Sequence, residues 1–233
     1  MKPYIDVIHE DDDILVCRNP AGLAVQSAKA GQQDMVSLLK NYRAGRQEPP
    51  EIYLVHRLDQ PVEGIMVFAK NKKAAASLSK QMQQKRVDKY YNAVVEGVFN
   101  APEGRLEDYL LRDGRSNTSR VVPADTPGAK RAVLHYRVLK VCNGAAELAL
   151  TDDNRTVSLV EILLETGRHH QIRVQLAHAG HPLAGDKKYN PNCQTGYLPI
   201  GLCSVSLAFS HPAIGKRMKF SIVPKGPAFQ NFS

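Results

Sequence analysis

Cysteine is scarce in this sequence of 233 residues, and its positions exclude several kinds of stapled domain. The four cysteines are Cys17, Cys142, Cys193 and Cys203. They form no CxxC pair, and no histidine stands at zinc-ligand spacing from any of them. A chain of this length can bury a sizeable core without disulfides or a structural metal. The pattern therefore indicates free thiols in a reducing compartment and no metal site.

Long apolar runs are also missing. No stretch approaches the roughly 20 apolar residues that a membrane-spanning helix needs. The N-terminal segment MKPYIDVIHEDDD is acidic and lacks an apolar core, so it does not have the form of a secretion signal. The sequence contains no repeat, low-complexity tract or evident linker. We therefore predict a cytoplasmic protein without membrane association, organised as a single domain over residues 1–233.

Acidic residues are outnumbered by basic ones. There are 31 Lys and Arg against 23 Asp and Glu, so the formal net charge is +8. Such a balance is typical of proteins that bind a polyanion or an acidic membrane surface. It is equally compatible with a protein that is basic for solubility alone, and charge does not decide between these interpretations.

Apolar and turn-forming residues alternate in a way that predicts many strands and few helices. Asp34 is a candidate N-cap for a helix over 35–43, and an Ala-, Lys- and Gln-rich segment predicts a second helix over 72–85. Helical spacing of apolar residues returns in 169–180. Strand-like runs occupy 14–18, 52–56, 64–70, 89–97, 133–141, 145–151 and 157–165, and a hairpin is predicted within 202–226. This order predicts an α+β fold with a mostly antiparallel sheet.

A single carboxylate, Asp59, lies in the turn between two of these apolar runs, within HRLDQPVEG (56–64). An aspartate in such a turn most often accepts backbone N–H bonds. Its setting is unusual because Arg57 precedes it by two residues. The residues alone leave a structural and a catalytic role open.

Two long motifs carry a resemblance to a known family. HRLDQPVEG, together with ETGRHHQIRVQLAHAGHPLAGDKKY (165–189), resembles the RluA family of RNA pseudouridine synthases. NPAGLAV (19–25), KYYNAVVEG (89–97) and SHPAIGKRMKF (210–220) match further family segments in the same order. The resemblance implies a mixed, mostly antiparallel sheet in two lobes with flanking helices and a central cleft. It also implies isomerisation of uridine to pseudouridine in RNA, which requires no cofactor because the product is an isomer.

The resemblance assigns catalytic roles to three residues. Asp59 corresponds to the catalytic aspartate, which attacks as a nucleophile or removes a ribose proton. Arg173 corresponds to the arginine that pairs with it and keeps it ionised. Without the motif, Arg173 would be interpreted as a surface helix arginine that binds phosphate. Tyr91 corresponds to the tyrosine that stacks on the target uracil.

Further residues are implied in substrate binding. Arg57 corresponds to the residue that fills the space of the extracted uridine, which enzymes of this kind flip out of the stack. The alternative is an ion-paired arginine at a strand end. Ile172 is a candidate apolar wall for the uracil, and His170 is a candidate for hydrogen bonding at the rim of the site. A turn-rich basic segment, 112–132, supplies the expected RNA contacts, namely Arg112, Arg115, Arg120, Lys130 and Arg131.

The sequence departs from the family pattern at three places. Val62 and Glu63 stand where Thr-Ser is usual, and we expect Glu63 to point outward because a buried unpaired charge is expensive. His169 stands where Thr or Ser is usual. The resemblance also begins almost at residue one, so we expect a stand-alone catalytic domain without the S4-type module of many relatives.

An enzyme acting on ribosomal or transfer RNA is thus the leading interpretation. A protein of the same fold that binds and remodels RNA with little turnover is the alternative, although a pure binder has no use for Asp59 with Arg173. A hydrolase using Asp59 and a histidine lacks any supporting Ser or Cys setting. No coiled coil or apolar patch stands out, which favours a monomer.

Overall fold

The structure is a computed structural model that describes residues 5–27, 29, 31–142, 156–193 and 199–232. It divides into two compact units. The first comprises 1–89 and 204–223, and the second comprises 90–203 and 224–233. The chain crosses between the units three times, at 89/90, 203/204 and 223/224. The prediction of a single domain stays a prediction.

The described part of the first unit is a sheet with two helices. The elements are β1 Val7–Glu10, β2 Ile14–Asn19, α1 Met35–Ala44, β3 Tyr53–Leu54, β4 Glu63–Ala69, α2 Lys72–Gln83, β10 Leu202–Ser210 and β11 Arg217–Ser221. The strands follow the order β1-β2-β4-β10, with β11 paired to β10 and β3 paired to β4. The pairs β1–β2, β2–β4, β3–β4 and β10–β11 are antiparallel, and Ile14 of β2 lies opposite Ala69 of β4.

The core of this unit follows from the sequence pattern. Strands β2 and β4 are buried along their whole length because they occupy the middle of the sheet. Helix α2 packs Ala74 and Leu78 onto a cluster that contains Ile65 and Phe209. The predicted cap of α1 is confirmed, since the Asp34 side chain accepts a hydrogen bond from the Ser37 backbone N–H.

The described part of the second unit is an antiparallel sheet with one α-helix. The elements are β5 Asp88–Glu96, β6 Glu103–Asp113, β7 Thr118–Val122, β8 Lys130–Cys142, β9 Val157–Leu164, α3 Gln171–His178 and a 3₁₀ helix Pro227–Phe232. The strands follow the order β5-β9-β8-β6-β7 with antiparallel pairing between neighbours. A small cluster of Leu110, Ala132 and Val174 packs α3 against the sheet.

The predicted α+β class with a mostly antiparallel sheet is confirmed. Strands β1 and β6 and the 3₁₀ helix were not predicted from the sequence. The predicted strand over 145–151 lies outside the described residues. Among the helices of the described ranges, none is long and apolar enough to cross a membrane.

Candidate active site

The turn that carries Asp59 is held by backbone and side-chain hydrogen bonds. The Val62 N–H donates to the Asp59 carbonyl at 2.9 Å. The loop after β2 is hydrogen-bonded to the turn. The Gly22 N–H donates to the Gln60 carbonyl at 2.8 Å, and Gln60 Nε2 donates to the Gly22 carbonyl at 3.0 Å. The Asp59 side chain is half-buried. These hydrogen bonds thus hold the backbone that carries the Asp59 carboxylate.

The residue three positions earlier, His56, anchors the same segment. Its Nε2 accepts the backbone N–H of Val67 in β4 at 3.2 Å. Burial lowers the pKa of His56 to about 3, with a further contribution from the positive charge of Lys89. Burial also lowers the pKa of Lys89. His56 is therefore neutral near pH 7, and it serves as a hydrogen-bond acceptor that ties the approach to Asp59 to the sheet.

The end of the motif requires its glycine. An ideal Cβ on Gly64 would lie 2.5 Å from the Ser204 Cβ and 2.7 Å from the Ser204 backbone nitrogen. These distances are far inside van der Waals contact, and the backbone of β10 cannot move aside at low cost. Gly64 thus permits β4 and β10 to approach directly after the turn.

The expectation that Glu63 points outward is wrong. Glu63 is buried, and its Oε2 lies 3.3 Å from Nη1 of Arg18, which is also buried. Arg18 Nη2 donates to the Val223 carbonyl at 2.8 Å. The argument about an unpaired charge holds, but this carboxylate has a partner from the neighbouring strand β2. Where Thr-Ser is usual in the family, this chain thus has a buried glutamate directly after the turn, and its charge is neutralised by Arg18.

Arg57 lies between the half-buried His56 and the buried Leu58 and is itself exposed. Within the described ranges its guanidinium forms no ion pair, so the alternative of a salt-bridged arginine at a strand end is not supported there. An exposed, uncommitted guanidinium two residues before Asp59 is compatible with the substrate-binding role that the sequence suggests.

Arg173 is buried in α3 and holds a side-on ion pair in the second unit. Its Nε donates to Asp186 Oδ2 at 2.8 Å, and its Nη2 donates to Asp186 Oδ1 at 2.7 Å. The two side chains are 5% and 0% exposed. The alternative of a surface helix arginine is therefore wrong. Sequence reasoning missed Asp186, although it lies in the quoted motif at GDKKY, because the pair spans 13 positions and closes only in the folded chain.

The start of α3 is fixed by a buried amide. Gln171 Oε1 accepts hydrogen bonds from Thr166 Oγ1 at 2.8 Å and from the Arg168 N–H at 3.0 Å. Gln171 Nε2 donates to the Val133 carbonyl of β8 at 3.0 Å. His170 precedes the helix in the left-handed region with φ of 52°. The first turn of α3, and with it Arg173, is thus locked onto the sheet.

His170 belongs to a polar network below the helix. Tyr189 Oη accepts the Ser119 N–H at 2.8 Å and lies within hydrogen-bond distance of His170 Nδ1, at 2.7 Å. Burial, followed by the charge of Arg173, lowers the pKa of His170 to about 3. The imidazole is therefore neutral near pH 7. His169 stacks on it with 3.7 Å between ring centroids.

Tyr91 and Ile172 are both buried within the second unit. Tyr91 lies on β5 opposite Ile162 of β9, whereas its neighbour Tyr90 is only partly buried, as strand alternation predicts. Burial suits both a pocket wall and plain core packing. Their assignment to the uracil pocket stays a prediction.

The basic segment forms a hairpin of β6 and β7 that continues into β8. Four of the five predicted RNA contacts are exposed and form no ion pair within the described part of the chain, namely Arg112, Arg115, Arg120 and Lys130. Arg131 differs, because its Nε and Nη2 bind the Glu107 carboxylate at 2.5 and 3.0 Å. A phosphate would have to compete with Glu107 for Arg131, so this residue is the weakest candidate of the five.

One group of side chains in the first unit has the composition of a cation site. Oxygens of Asp11 and Asp13 and a nitrogen of His211 lie within 4.8 Å of one another. His211 Nδ1 accepts the N–H groups of Ala213 and Ile214 at 3.3 Å each, so its proton is on Nε2 and is donated to Asp11 Oδ2 at 3.1 Å. The imidazole is then a hydrogen-bond donor to Asp11 rather than a metal ligand, so the group is held together by its own hydrogen bond.

Comparison with known proteins assigns the chain to a family. The family model described as RNA pseudouridylate synthase matches residues 13–178. The uncharacterised RNA pseudouridine synthase YhcT of Bacillus subtilis is 36% identical over 186 residues, which is 79% of this chain. Ribosomal large subunit pseudouridine synthase D of Haemophilus influenzae is 31% identical over 93% of this chain. The chain belongs to the RNA pseudouridylate synthase family, as its resemblance to the RluA group predicted.

Solved structures agree on the fold. The human RNA pseudouridylate synthase domain-containing protein 1 has a TM-score of 0.76 and 21% identity, with 96% of this chain and 85% of that chain covered. The human domain-containing protein 4 has a TM-score of 0.72 and 23% identity, with 94% and 89% covered. The matches span 57% of YhcT and 66% of the Haemophilus synthase. The chain thus corresponds to part of the length of these curated relatives.

Proposed function

We propose that this protein is an RNA pseudouridine synthase that isomerises uridine in structured RNA, with Asp59 as the catalytic carboxylate. The observation that carries the proposal is the family match over 13–178, which includes the HRLD motif. The names of the relatives support an enzyme rather than a binding protein without turnover. Several relatives are named for the large ribosomal subunit, so its RNA is the first candidate substrate, with transfer RNA as the second.

The chemistry asks for an ionised carboxylate beside the ribose and the base. Asp59 would attack as a nucleophile or remove a ribose proton so that uracil leaves, turns and rejoins through C5. Both routes need Asp59 unprotonated, and a nearby guanidinium favours that state. We propose Arg173 for this role. Since Asp186 takes the Nε–Nη2 edge of Arg173, a second carboxylate would have to use Nη1 or the remaining N–H of Nη2.

The remaining residues would bind the extracted nucleoside and the RNA. We propose that Arg57 fills the space of the flipped uridine, that Tyr91 stacks on the uracil and that Ile172 lines the pocket. His170, neutral because burial lowers its pKa, would form hydrogen bonds at the rim of the site. The exposed hairpin cations would contact phosphates, because charged loops without apolar anchors contact the backbone rather than the bases.

The reaction as proposed needs no redox partner, metal or organic cofactor, because substrate and product are isomers. We further propose that the protein acts as a monomer in the cytoplasm.

Two experiments test the proposal. Pseudouridine mapping across all RNA in cells with and without the gene identifies the substrate. The RNA so identified, made as an unmodified transcript, is then incubated with Asp59→Asn, and we expect no pseudouridine while the RNA dissociation constant stays near wild type. Asp12→Asn serves as the matched control, because Asp12 is an exposed aspartate of the same unit. Turnover in Asp59→Asn, or identical maps in the two strains, would refute the proposal.

A further inference from the structure

The guanidinium of Arg173 is held on one edge and one face by residues to which no function has been given. Asp186 binds the edge through two hydrogen bonds of 2.8 and 2.7 Å. Tyr189 lies against the face, with 5.1 Å between the guanidinium carbon and the ring centroid. An edge and a face together determine the plane of the group.

Asp186 and Tyr189 are themselves held by hydrogen bonds within the second unit. Asp186 Oδ1 accepts the Lys188 N–H at 3.0 Å, and the Asp186 N–H donates to the Leu183 carbonyl at 3.2 Å. The Tyr189 hydroxyl accepts the Ser119 N–H of β7 at 2.8 Å. The segment 186–189 is therefore tied to the strand of the basic hairpin as well as to α3.

Asp186 cannot meet the substrate directly. Its side chain is 0% exposed, and both oxygens are engaged. The two hydrogen bonds to a buried carboxylate remove the rotamer freedom of the Arg173 side chain before the substrate arrives. Such pre-organisation acts on the chemical step, since a misplacement of about 1 Å can cost on the order of 100-fold in rate.

We propose that Asp186 is a positioning residue for pseudouridine formation, which acts by orienting Arg173 through Nε and Nη2, with Tyr189 holding the guanidinium plane. This inference rests on the proposed function and on Arg173 taking part in it. It adds that the position of Arg173 is determined within the second unit, before RNA binds.

The test uses the full chain and the unmodified transcript identified above, under single-turnover conditions. Asp186→Asn removes the charge and turns one of the two acceptors into a donor. We expect the rate constant for pseudouridine formation to fall by about 10- to 100-fold, with the RNA dissociation constant changed by less than about twofold. Asp108→Asn is the matched control, because Asp108 also binds α3, through Gln175 Nε2 at 2.8 Å, but does not contact Arg173. Its rate constant should stay at the wild-type value.

A double-mutant comparison separates positioning from general stability. If Asp186 acts through Arg173, then adding Asp186→Asn to Arg173→Met causes no further loss of rate. A further loss in that background, or a wild-type rate for Asp186→Asn alone, would overturn the inference. If Asp186→Asn does not fold, Tyr189→Leu, which keeps the ion pair and removes the ring, must lower the rate constant at unchanged affinity. A wild-type rate there overturns the inference equally.

Failure of this inference is distinguishable from failure of the proposed function. An active Asp59→Asn variant refutes the catalytic assignment itself. An inactive Asp59→Asn variant beside a fully active Asp186→Asn variant refutes only the role of Asp186.

Discussion

Replacing Arg173 by methionine tests the buried ion pair without any assumption about activity. Methionine keeps the length of the side chain and removes its charge and all of its donors. Among the described residues, the Asp186 carboxylate, whose side chain is 0% exposed, then accepts a hydrogen bond only from the Lys188 N–H. Removing one partner of a buried ion pair costs about 3–5 kcal/mol, mostly because the remaining charge is left without compensation. One kcal/mol corresponds to roughly 2–4 °C in a chain of this size, so the midpoint of thermal unfolding should fall by roughly 6–20 °C.

A double variant shows whether the uncompensated charge of Asp186 causes the loss of stability. Arg173→Met with Asp186→Asn removes both charges, so its unfolding midpoint should lie clearly above that of Arg173→Met alone. Circular dichroism at pH 7.5, at low and at high salt, measures both. The deficit should be insensitive to salt, because the pair is buried. A double variant no more stable than Arg173→Met, or an Arg173→Met variant within about 2 °C of wild type, would refute the reasoning.

Three further predictions concern packing, protonation and RNA binding. In Gly64→Ala the new Cβ would lie 2.5 Å from the Ser204 Cβ and would have to move by roughly 0.9 Å to reach ordinary contact, so the midpoint of thermal unfolding should fall by at least several degrees. Gly114→Ala, whose new Cβ would have nothing within 4 Å, should leave the midpoint unchanged. The pKa of His56 is about 3 in the folded state and about 6.5 in the unfolded chain, so wild-type stability should decrease as pH falls below 6.5. His56→Gln keeps an acceptor for the Val67 backbone N–H but cannot be protonated, so its stability should depend less on pH. An unchanged dependence of stability on pH would contradict the assignment. RNA affinity should weaken with salt; Arg115→Ala should reduce the slope by roughly 0.7–0.9, and Arg131→Ala, already paired with Glu107, should change it less. Equal effects of the two arginine variants would show that the Glu107 pair does not restrict Arg131.

Local patterns in the sequence were sufficient for most elements of the fold. The cap at Asp34 and the apolar alternation of β2, β4 and β9 depend on neighbours within a few positions, and these elements are found where they were predicted. The weakest predictions were the short ones. Only two residues of the run 52–56 form a strand, because His56 leaves the ladder to accept the N–H of Val67.

The candidate site divides in the same way. The motif around Asp59 is contiguous, so its residues and the turn could be recognised directly. The environment of Glu63 could not, because Arg18 comes from 45 positions away and reaches it only through the register of β2 against β4. An isolated glutamate is rightly expected at the surface, and only a partner across the sheet changes that expectation.

What the sequence determined by itself is therefore the family, the class of fold and the identity of the carboxylate proposed for catalysis, since these reside in local pattern and contiguous motif. What the tertiary structure decided is which charges are compensated. Asp186 holds Arg173, Arg18 neutralises Glu63, and Glu107 occupies Arg131. Ion pairs depend on distances of a few ångströms between residues far apart in the chain, and folding alone sets those distances.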